Sequence, residues 1–336
     1  MADKMDLLGM YIPTWNREKK LAQLLTQLIP QFKKYDLPVY ISDDNSSDGT
    51  EAMVRGFQKR YKKLYYKKND TGLPKGYAAN LISVLRMGTT EFVWVFGDDD
   101  LILKDAVDKI LPELKRNDFV QVNTEVWNKD FTKKLEDRKI FLDHDVEYAK
   151  GSHDEVMANA RNGYAGFMVE IITRRSYLIR ELGRLNRRGI EKRDFLHSTL
   201  FFRAIKGRRG KLIAQPLIRN RMDGEIKGRE FKIWVVTFPE TLWELSPPYD
   251  WKTVTRTGSL RLYSMIGITA INKLQHPEKK DEYLHYLHSN RSINAFNRLV
   301  ITLILVSPNE LIRALITPII SSKGLTMRDS QAAKPA

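Results

Sequence analysis

Glu91-Phe92-Val93-Trp94-Val95-Phe96-Gly97-Asp98-Asp99-Asp100 is the stretch whose reading decides the fold. Five consecutive β-forming apolar residues run into a glycine and three carboxylates. A run this short and this apolar predicts a strand buried on both faces of a parallel sheet. Three like charges at its exit repel one another, so the cluster is costly unless it is solvated or holds a cation. Carboxylate oxygens are the ligands preferred by Mg2+, Mn2+ and Ca2+. A solvated acidic turn is the plainer reading of the same triplet.

Upstream of this stretch the chain alternates strand and helix. Leu7 to Ile12 predicts a strand that ends at Pro13-Thr14-Trp15-Asn16-Arg17. Leu21, Leu24, Leu25, Leu28, Ile29 and Phe32 recur every three or four residues, the mark of an amphipathic helix. Val39 to Ile41 predicts a second strand, closed by Ser42-Asp43-Asp44-Asn45-Ser46-Ser47-Asp48-Gly49-Thr50. A helix to about Tyr61, a strand at Leu64 to Tyr66, a polar loop at 69–76 and a helix from Tyr77 to Met87 follow. Such alternation predicts a mostly parallel, doubly wound α/β sheet. Ligands of these sheets bind beyond the carboxyl ends of the strands. Pro13 to Arg17, Asp43 to Asp48 and Asp98 to Asp100 are therefore expected along one edge. Asp44 to Gly49 superficially resembles a calcium loop, but Arg55 stands where that loop needs a bidentate Glu. Asp48 or Ser47 is expected to cap the following helix.

Composition narrows the partners. The 336 residues leave room for one large α/β domain, alone or with an appendage, and 42% of them are hydrophobic. The absence of cysteine excludes a disulfide framework, a thiolate metal site and a thiol nucleophile, and it fits a reducing compartment. The first ten residues lack the apolar core of a signal peptide. No stretch reaches the roughly 18 apolar residues of a membrane-spanning helix. A net charge of +15, from 56 basic and 41 acidic residues, calls for an anionic partner. Nucleic acid, an anionic membrane surface and phosphorylated substrates all qualify.

The ordered motifs resemble family 2 glycosyltransferases of the GT-A fold. The match rests on Ile12 to Arg17, Ser42 to Thr50, the series Asn69, Gly72 and Asn80, and Gly97-Asp98-Asp99-Asp100. It is nearest to the branch with an Asp-Asp-Asp triplet, which includes abequosyltransferase-like enzymes. The resemblance implies an inverting transfer of sugar from a nucleotide-diphospho-sugar. Mn2+ or Mg2+ on Asp99 and Asp100 would neutralise the departing diphosphate. Pro13 and Thr14 would frame the base, Asp43 or Asp44 would accept from base or ribose, and Asn16, Asn69, Gly72 and Asn80 would complete the pocket. Arg17 and Lys75 would reach phosphates, with Asp98 on the nucleotide side. Many members carry an acid where this chain has Gly97.

The resemblance extends further along the chain. Asn162-Gly163-Tyr164-Ala165-Gly166-Phe167-Met168 is similar to the acceptor-side segment of the family, where Tyr164 and Phe167 would stack on a sugar. Inversion needs a base to take the acceptor proton. Asp194, in Glu191-Lys192-Arg193-Asp194 ahead of an expected helix, is assigned that role, with Glu191 the alternative. Arg219 and Arg221 stand where the family closes a loop over the diphosphate, and Met222 to Lys232 is expected to form a lid. His285 and His288 read as part of a helix face, and His197 as a core residue.

The expected organisation is a GT-A catalytic domain at 1–232, a helical region at 233–321 and a disordered tail at 322–336. Apolar segments at Leu299 to Val306 and Leu311 to Ile320 would lie on a membrane or on a second subunit. The acceptor is expected to be a glycan or lipid-linked glycan. The protein is expected to be cytoplasmic and peripheral on the inner face of the cell membrane, with a homo-oligomer as the alternative use of the apolar segments. Nucleic acid is not an expected partner. A nucleotidyltransferase would need a glycine- and lysine-rich signature after the first strand, which is missing. A basic nucleic-acid or membrane-binding module would leave the strand-end acids unexplained. A degenerate, inactive transferase is the remaining rival.

Overall fold

Eight strands line up in one sheet, in the order β3-β2-β1-β4-β9-β6-β10-β5. They are β1 (Leu8–Thr14), β2 (Val39–Asp43), β3 (Leu64–Lys68), β4 (Phe92–Val95), β5 (Leu101–Ile102), β6 (Phe119–Asn128), β9 (Ile171–Arg174) and β10 (Gly210–Met222). Short β7 (Lys134–Glu136) and β8 (Val146–Tyr148) attach to β6 and β10. The computed structural model describes residues 6–69, 75–159, 170–185, 194–222, 231–245, 249, 262–289 and 295–322. Helices α1 (Glu18–Lys34), α2 (Thr50–Arg60), α3 (Tyr77–Met87), α4 (Ala106–Leu114), α5 (His153–Asn159), α6 (Arg175–Arg184) and α7 (Leu196–Ile205) connect the strands.

Strand direction positions the site. β3, β2, β1 and β4 run parallel, with Tyr11 opposite Tyr40 and Val95. β9 is antiparallel to both β4 and β6, and β10 is parallel to β6. β6 and β10 therefore run the same way as β4. The carboxyl ends of β1, β2, β4, β6 and β10 all face one edge, the edge where α/β sheets hold ligands.

Burial follows the sequence pattern. Every residue of β1, β2 and β4 is buried. Leu21, Leu24, Leu25, Leu28 and Phe32 form the buried face of α1, as their spacing predicts. Trp94 and Phe96 meet edge to face at 5.3 Å in the centre of the core. Gly210 allows β10 to pass over Phe119, because a Cβ there would land on that ring.

The chain divides into two units, Met1–Gly224 with Leu245–Thr257 and Glu225–Glu244 with Gly258–Ala336. The second unit is helical: a π-helical segment at Lys232–Thr237 continues into Phe238–Glu244. Helices Leu262–Gln275, Lys280–Ser289, Ala295–Val306 and Asn309–Ser322 follow. Phe231, Val235, Tyr283, Leu287, Ile301 and Leu305 form its small core, with the Phe231 and Tyr283 rings stacked at 4.3 Å. Phe296, Leu299, Leu303 and Val306 are each more than half exposed, as are or nearly are Leu311 and Leu315, at 50% and 60%. No single helix among the described residues is long and apolar enough to cross a membrane, though Ala295–Val306 and Asn309–Leu315 pass together as a pair bent by 116°.

Gly210→Ala forces the packed Phe119 ring to move and is expected to destabilise the protein by about 1–3 kcal/mol. Gly56→Ala, inside α2 with nothing near the added methyl, is expected to stabilise it by about 0.5–1 kcal/mol. Urea unfolding midpoints of the two variants should move in opposite directions.

Candidate active site

The loops after β1 and β2 are tied to each other. Asn16 takes a left-handed backbone with φ of 51°, its N–H donates to Ser46 Oγ at 2.8 Å, and its Oδ1 accepts from the Ser47 N–H at 2.8 Å. Asp48 accepts from the N–H of Glu18, where α1 starts, and of Thr50, where α2 starts, at 3.1 and 3.0 Å. Burial works against the Asp48 charge, but the hydrogen bonds from Thr50 and Glu18 outweigh it and hold the carboxyl below its usual range. Neither Ser47 nor Asp48 is the N-cap of α2, which is Gly49; Asp48 serves the helix start from one residue earlier, through the Thr50 N–H. Pro13 and Thr14 end β1 directly above this junction.

Asp43 and Asp44 are both engaged within the protein. Asp43 is fully buried and accepts from the Ser46 N–H at 2.8 Å, from Ser46 Oγ at 2.6 Å and from Tyr66 Oη at 2.6 Å. Asp44 accepts from the N–H groups of Lys75 and Gly76 at 2.9 and 2.7 Å and from Asn69 Nδ2 at 3.1 Å. It therefore fixes the entry into α3. Asn80, on that helix, donates to the Thr14 carbonyl at 3.0 Å and ties α3 to the end of β1. Asn69, Asp44 and Asn80 thus shape the edge by holding backbone, and Lys75 extends from the same segment with its side chain exposed. Gly72 lies outside the described residues.

The acidic triplet leaves β4 at this edge. Asp98, with 14% of its side chain exposed, accepts from Thr14 Oγ1 at 2.7 Å, and its other oxygen lies 3.7 Å from Arg17 Nε. Asp100 is buried, and both the Asn220 Nδ2 and the Arg221 N–H donate to its Oδ1, at 2.8 and 2.9 Å. Burial first, and the Asp99 charge second, push Asp98 up to about 7 and Asp100 up to about 8. The departure at Gly97 has a physical reason. A Cβ there would stand 3.0 Å from Asp100 Oδ2 and 3.3 Å from Asp99 Oδ1, so glycine makes room for the carboxylates to fold back.

The two arginines lie on strand β10, where a loop was expected, because β10 continues in parallel register with β6 as far as Met222. Arg221 braces the triplet. It donates to the Asp99 carbonyl at 2.8 Å, to the Lys129 carbonyl and to Gln23 Oε1 at 2.8 Å, and it lies over the Phe131 ring. Arg219 pairs with Glu125 at 3.2 Å and lies 4.7 Å over the Trp127 ring. Residues 223–230 of the expected lid, Glu191 and the acceptor-side segment at 162–168 lie outside the described residues.

Asp194 sits in the turn that opens α7. One helical turn later His197, 5% exposed, meets Tyr77 Oη at 2.7 Å, and Tyr77 is the first residue of α3. A continuous path therefore links Asp44, Gly76, Tyr77 and His197 to the helix that follows Asp194. The core role expected of His197 is what the structure shows.

Sequence reasoning missed one group. Lys139 is 1% exposed, donates to Asn220 Oδ1 at 3.0 Å and lies 3.9 Å from the buried Glu170. In sequence it is one lysine in a polar stretch, and nothing nearby marks it as internal.

The sequence model of the glycosyl transferase family 2 matches residues 10–203, more than half of the chain, including the loops after β1 and β2, the acidic triplet and Asp194. The chain belongs to the family 2 glycosyltransferases. It is 33% identical over 103 residues to abequosyltransferase RfbV of Salmonella typhimurium, covering 30% of each chain. It is also 33% identical over 107 residues to the GalNAc(5)-diNAcBac-PP-undecaprenol beta-1,3-glucosyltransferase of Campylobacter jejuni, 32% of this chain and 34% of that one. The chain thus spans about a third of the length of these curated relatives. Among solved structures, S. aureus TarS 1-349 in complex with UDP-GlcNAc superposes with a TM-score of 0.60 at 14% identity, covering 95% of this chain and 92% of that one. The architecture is that of the GT-A glycosyltransferases, with a helical C-terminal region.

The site's donor set suits a hard divalent cation. Among the described residues no three His, Cys, Asp or Glu side chains converge on one point. Asp99 and Asp100 would instead offer two carboxylates, with substrate phosphates and water completing the shell, the usual arrangement for Mg2+ at phosphate sites. Burial first and the Asp99 charge second disfavour the ionised forms of Asp98 and Asp100, and a cation beside them would offset both.

A carboxyl whose native value is raised keeps its proton in the folded state longer than in the unfolded one, so it subtracts stability as pH rises. That loss accumulates from the ordinary carboxylate value, about 4, up to about 7 for Asp98. Asp98→Asn, which mimics the protonated form, is expected to gain stability relative to the metal-free native chain between pH 5 and pH 8. Melting temperatures of the two proteins across that range check the sign.

Proposed function

We propose that this chain transfers a sugar, with inversion, from a nucleotide-diphospho-sugar to a hydroxyl of a glycan or lipid-linked glycan. The observation that carries the reading is the braced triplet Asp98-Asp99-Asp100 at the carboxyl end of β4, beside the loops of β1 and β2. TarS was solved with UDP-GlcNAc, and the Pyrobaculum calidifontis mannosyltransferase PcManGT, at 16% identity and a TM-score of 0.50, with GDP-Man and Mn2+. The two enzymes similar in sequence are named for transfer of abequose and glucose, the second to an undecaprenol-linked glycan. These names support a nucleotide-sugar donor and a lipid-linked acceptor here.

In this reading Pro13, Thr14 and Asn16 frame the nucleoside, with Asp43 and Asp44 holding the walls of that pocket. Arg17 and Lys75 face the diphosphate, and Asp99 and Asp100 hold Mn2+ or Mg2+. The cation, when bound, neutralises charge that develops on the leaving diphosphate, where stabilisation raises the rate. Asp98 receives Thr14 and Arg17 and orients the end of β1 towards the donor. Arg221 keeps the triplet from splaying, and Arg219 stands on the same strand edge. Asp194 takes the acceptor proton as the new bond to the anomeric carbon forms and the bond to the diphosphate breaks.

The apolar face of Phe296, Leu299, Leu303 and Val306, joined to an excess of 15 positive charges, favours a peripheral site on an anionic membrane surface. Such a surface is where a lipid-linked acceptor lies, on the inner face of the cell membrane. Leu299→Asp with Leu303→Asp is expected to abolish sedimentation with phosphatidylglycerol vesicles. Unchanged sedimentation, or a switch from dimer to monomer in its place, would assign the face to a second copy.

Thermal shift with nucleoside diphosphates is expected to show a rise for one nucleotide with Mn2+ that Asp99→Ala abolishes. Asp194→Asn is expected to keep that rise while kcat for sugar transfer falls by about 10²–10⁴-fold, the usual worth of a general base. No rise for any nucleotide would refute the donor site, and an active Asp194→Asn would move the base elsewhere.

A further inference from the structure

Behind the triplet lies a buried polar chain that the transfer reaction, as derived above, does not use. Lys139 Nζ donates to Asn220 Oδ1 at 3.0 Å, and Asn220 Nδ2 donates to Asp100 Oδ1 at 2.8 Å. All three residues are at most 5% exposed. Glu170, 2% exposed, stands 3.9 Å from Lys139 Nζ through an Oε1 that has no hydrogen-bond partner among the described residues. A buried ion pair held at that distance contributes little to stability and is often no better than an apolar pair of the same volume. Its position against Asn220 points to another use.

A carboxamide has two ends of nearly equal shape, one accepting and one donating, and its partners decide which way it faces. An ammonium only donates, so Lys139 forces the Asn220 oxygen towards itself. The Asn220 NH2 must then face Asp100. Rotated by half a turn, Asn220 would set its oxygen against the carboxylate and leave two acceptors in contact. With the amide fixed, both hydrogen bonds that Asp100 accepts among the described residues, from Asn220 and from the Arg221 N–H, fall on Oδ1. Oδ2 is the oxygen turned towards Gly97, where a Cβ would stand 3.0 Å from it and 3.3 Å from Asp99 Oδ1.

We propose that Lys139 is a positioning residue for the cation site: it sets the Asn220 carboxamide, which holds Asp100 by Oδ1 and presents Oδ2 beside Asp99. The inference rests on the reading of Asp99 and Asp100 as cation ligands. Glu170 balances the charge of Lys139, so that the relay orients Asp100 without adding a net positive charge behind the cation. Partners that orient a metal's ligands typically change affinity by about 10–100-fold when removed.

The test compares Mn2+ binding to the native full-length chain, Lys139→Met/Glu170→Gln, Asn220→Ala and the triple variant, by EPR of free Mn2+. The paired substitution removes both charges and leaves the net charge unchanged. Each of the two is expected to weaken Mn2+ binding by about tenfold. The triple variant is expected to be no weaker than either, since two links of one relay do not add. Melting temperatures are read alongside. A fall in melting temperature with Mn2+ affinity unchanged would make Lys139 a structural residue and overturn the proposal, as would additive losses in the triple variant. If the paired variant does not fold, Asn220→Ala decides alone, and native Mn2+ affinity in that protein overturns the relay. A native chain that binds no Mn2+ refutes the cation site itself, and the relay with it. Native binding retained by the relay variants refutes only the relay.

Discussion

Three carboxylates at the end of one buried strand repel each other in a place where water cannot fully screen them, and much of the polar structure around them answers that repulsion. Thr14 and Arg17 receive Asp98 from the end of β1. Asn220 and the backbone of Arg221 receive Asp100 from β10. Gly97 removes the side chain that would otherwise crowd the other two acids. These contacts satisfy hydrogen bonds, but burial first and the Asp99 charge second still leave Asp98 and Asp100 raised. Such a site is suited to a cation and a diphosphate that arrive together.

The same economy governs the neighbouring loops. Asp43, Asp44, Asp48 and Asn16 are polar residues at strand ends, yet each is engaged with backbone N–H groups or hydroxyls of the adjoining loop. Irregular backbone at a sheet edge carries donors that no strand or helix satisfies. Short acidic and amide side chains satisfy them locally, which shapes the loops after β1 and β2 without regular secondary structure. A rim held by its own hydrogen bonds lowers the entropic cost of binding a substrate.

The first half of the fold was legible because its signals are local. Apolar runs of four to seven residues, helical spacing in α1 and glycine- or aspartate-rich breaks fixed the order of the elements up to β4. The second half was legible only in part: the helix expected after Asp194 is α7, but several strands were not readable. β5 has two residues, β9 is antiparallel to both its neighbours, and β10 runs through Pro216 and two arginines. Each of these strands exists because a partner lies beside it, and no period within its own residues announces that partner. Arg219 and Arg221 illustrate the consequence: read as a closing loop, they are strand residues that pair with Glu125 and brace Asp99.

What the sequence alone determined is the residue types at the strand ends and, through topology, the edge on which they gather. Family membership follows from the same motifs in their order. What only the tertiary structure decided is which of those acids serve the protein and which face outward. It also decided that Lys139, distant in sequence and unmarked by any motif, stands behind Asp100 with Asn220 between them. The physical reason is that burial and hydrogen-bond partners are properties of contacts between distant segments. A buried carboxylate with three donors and an exposed one are the same letter in the chain.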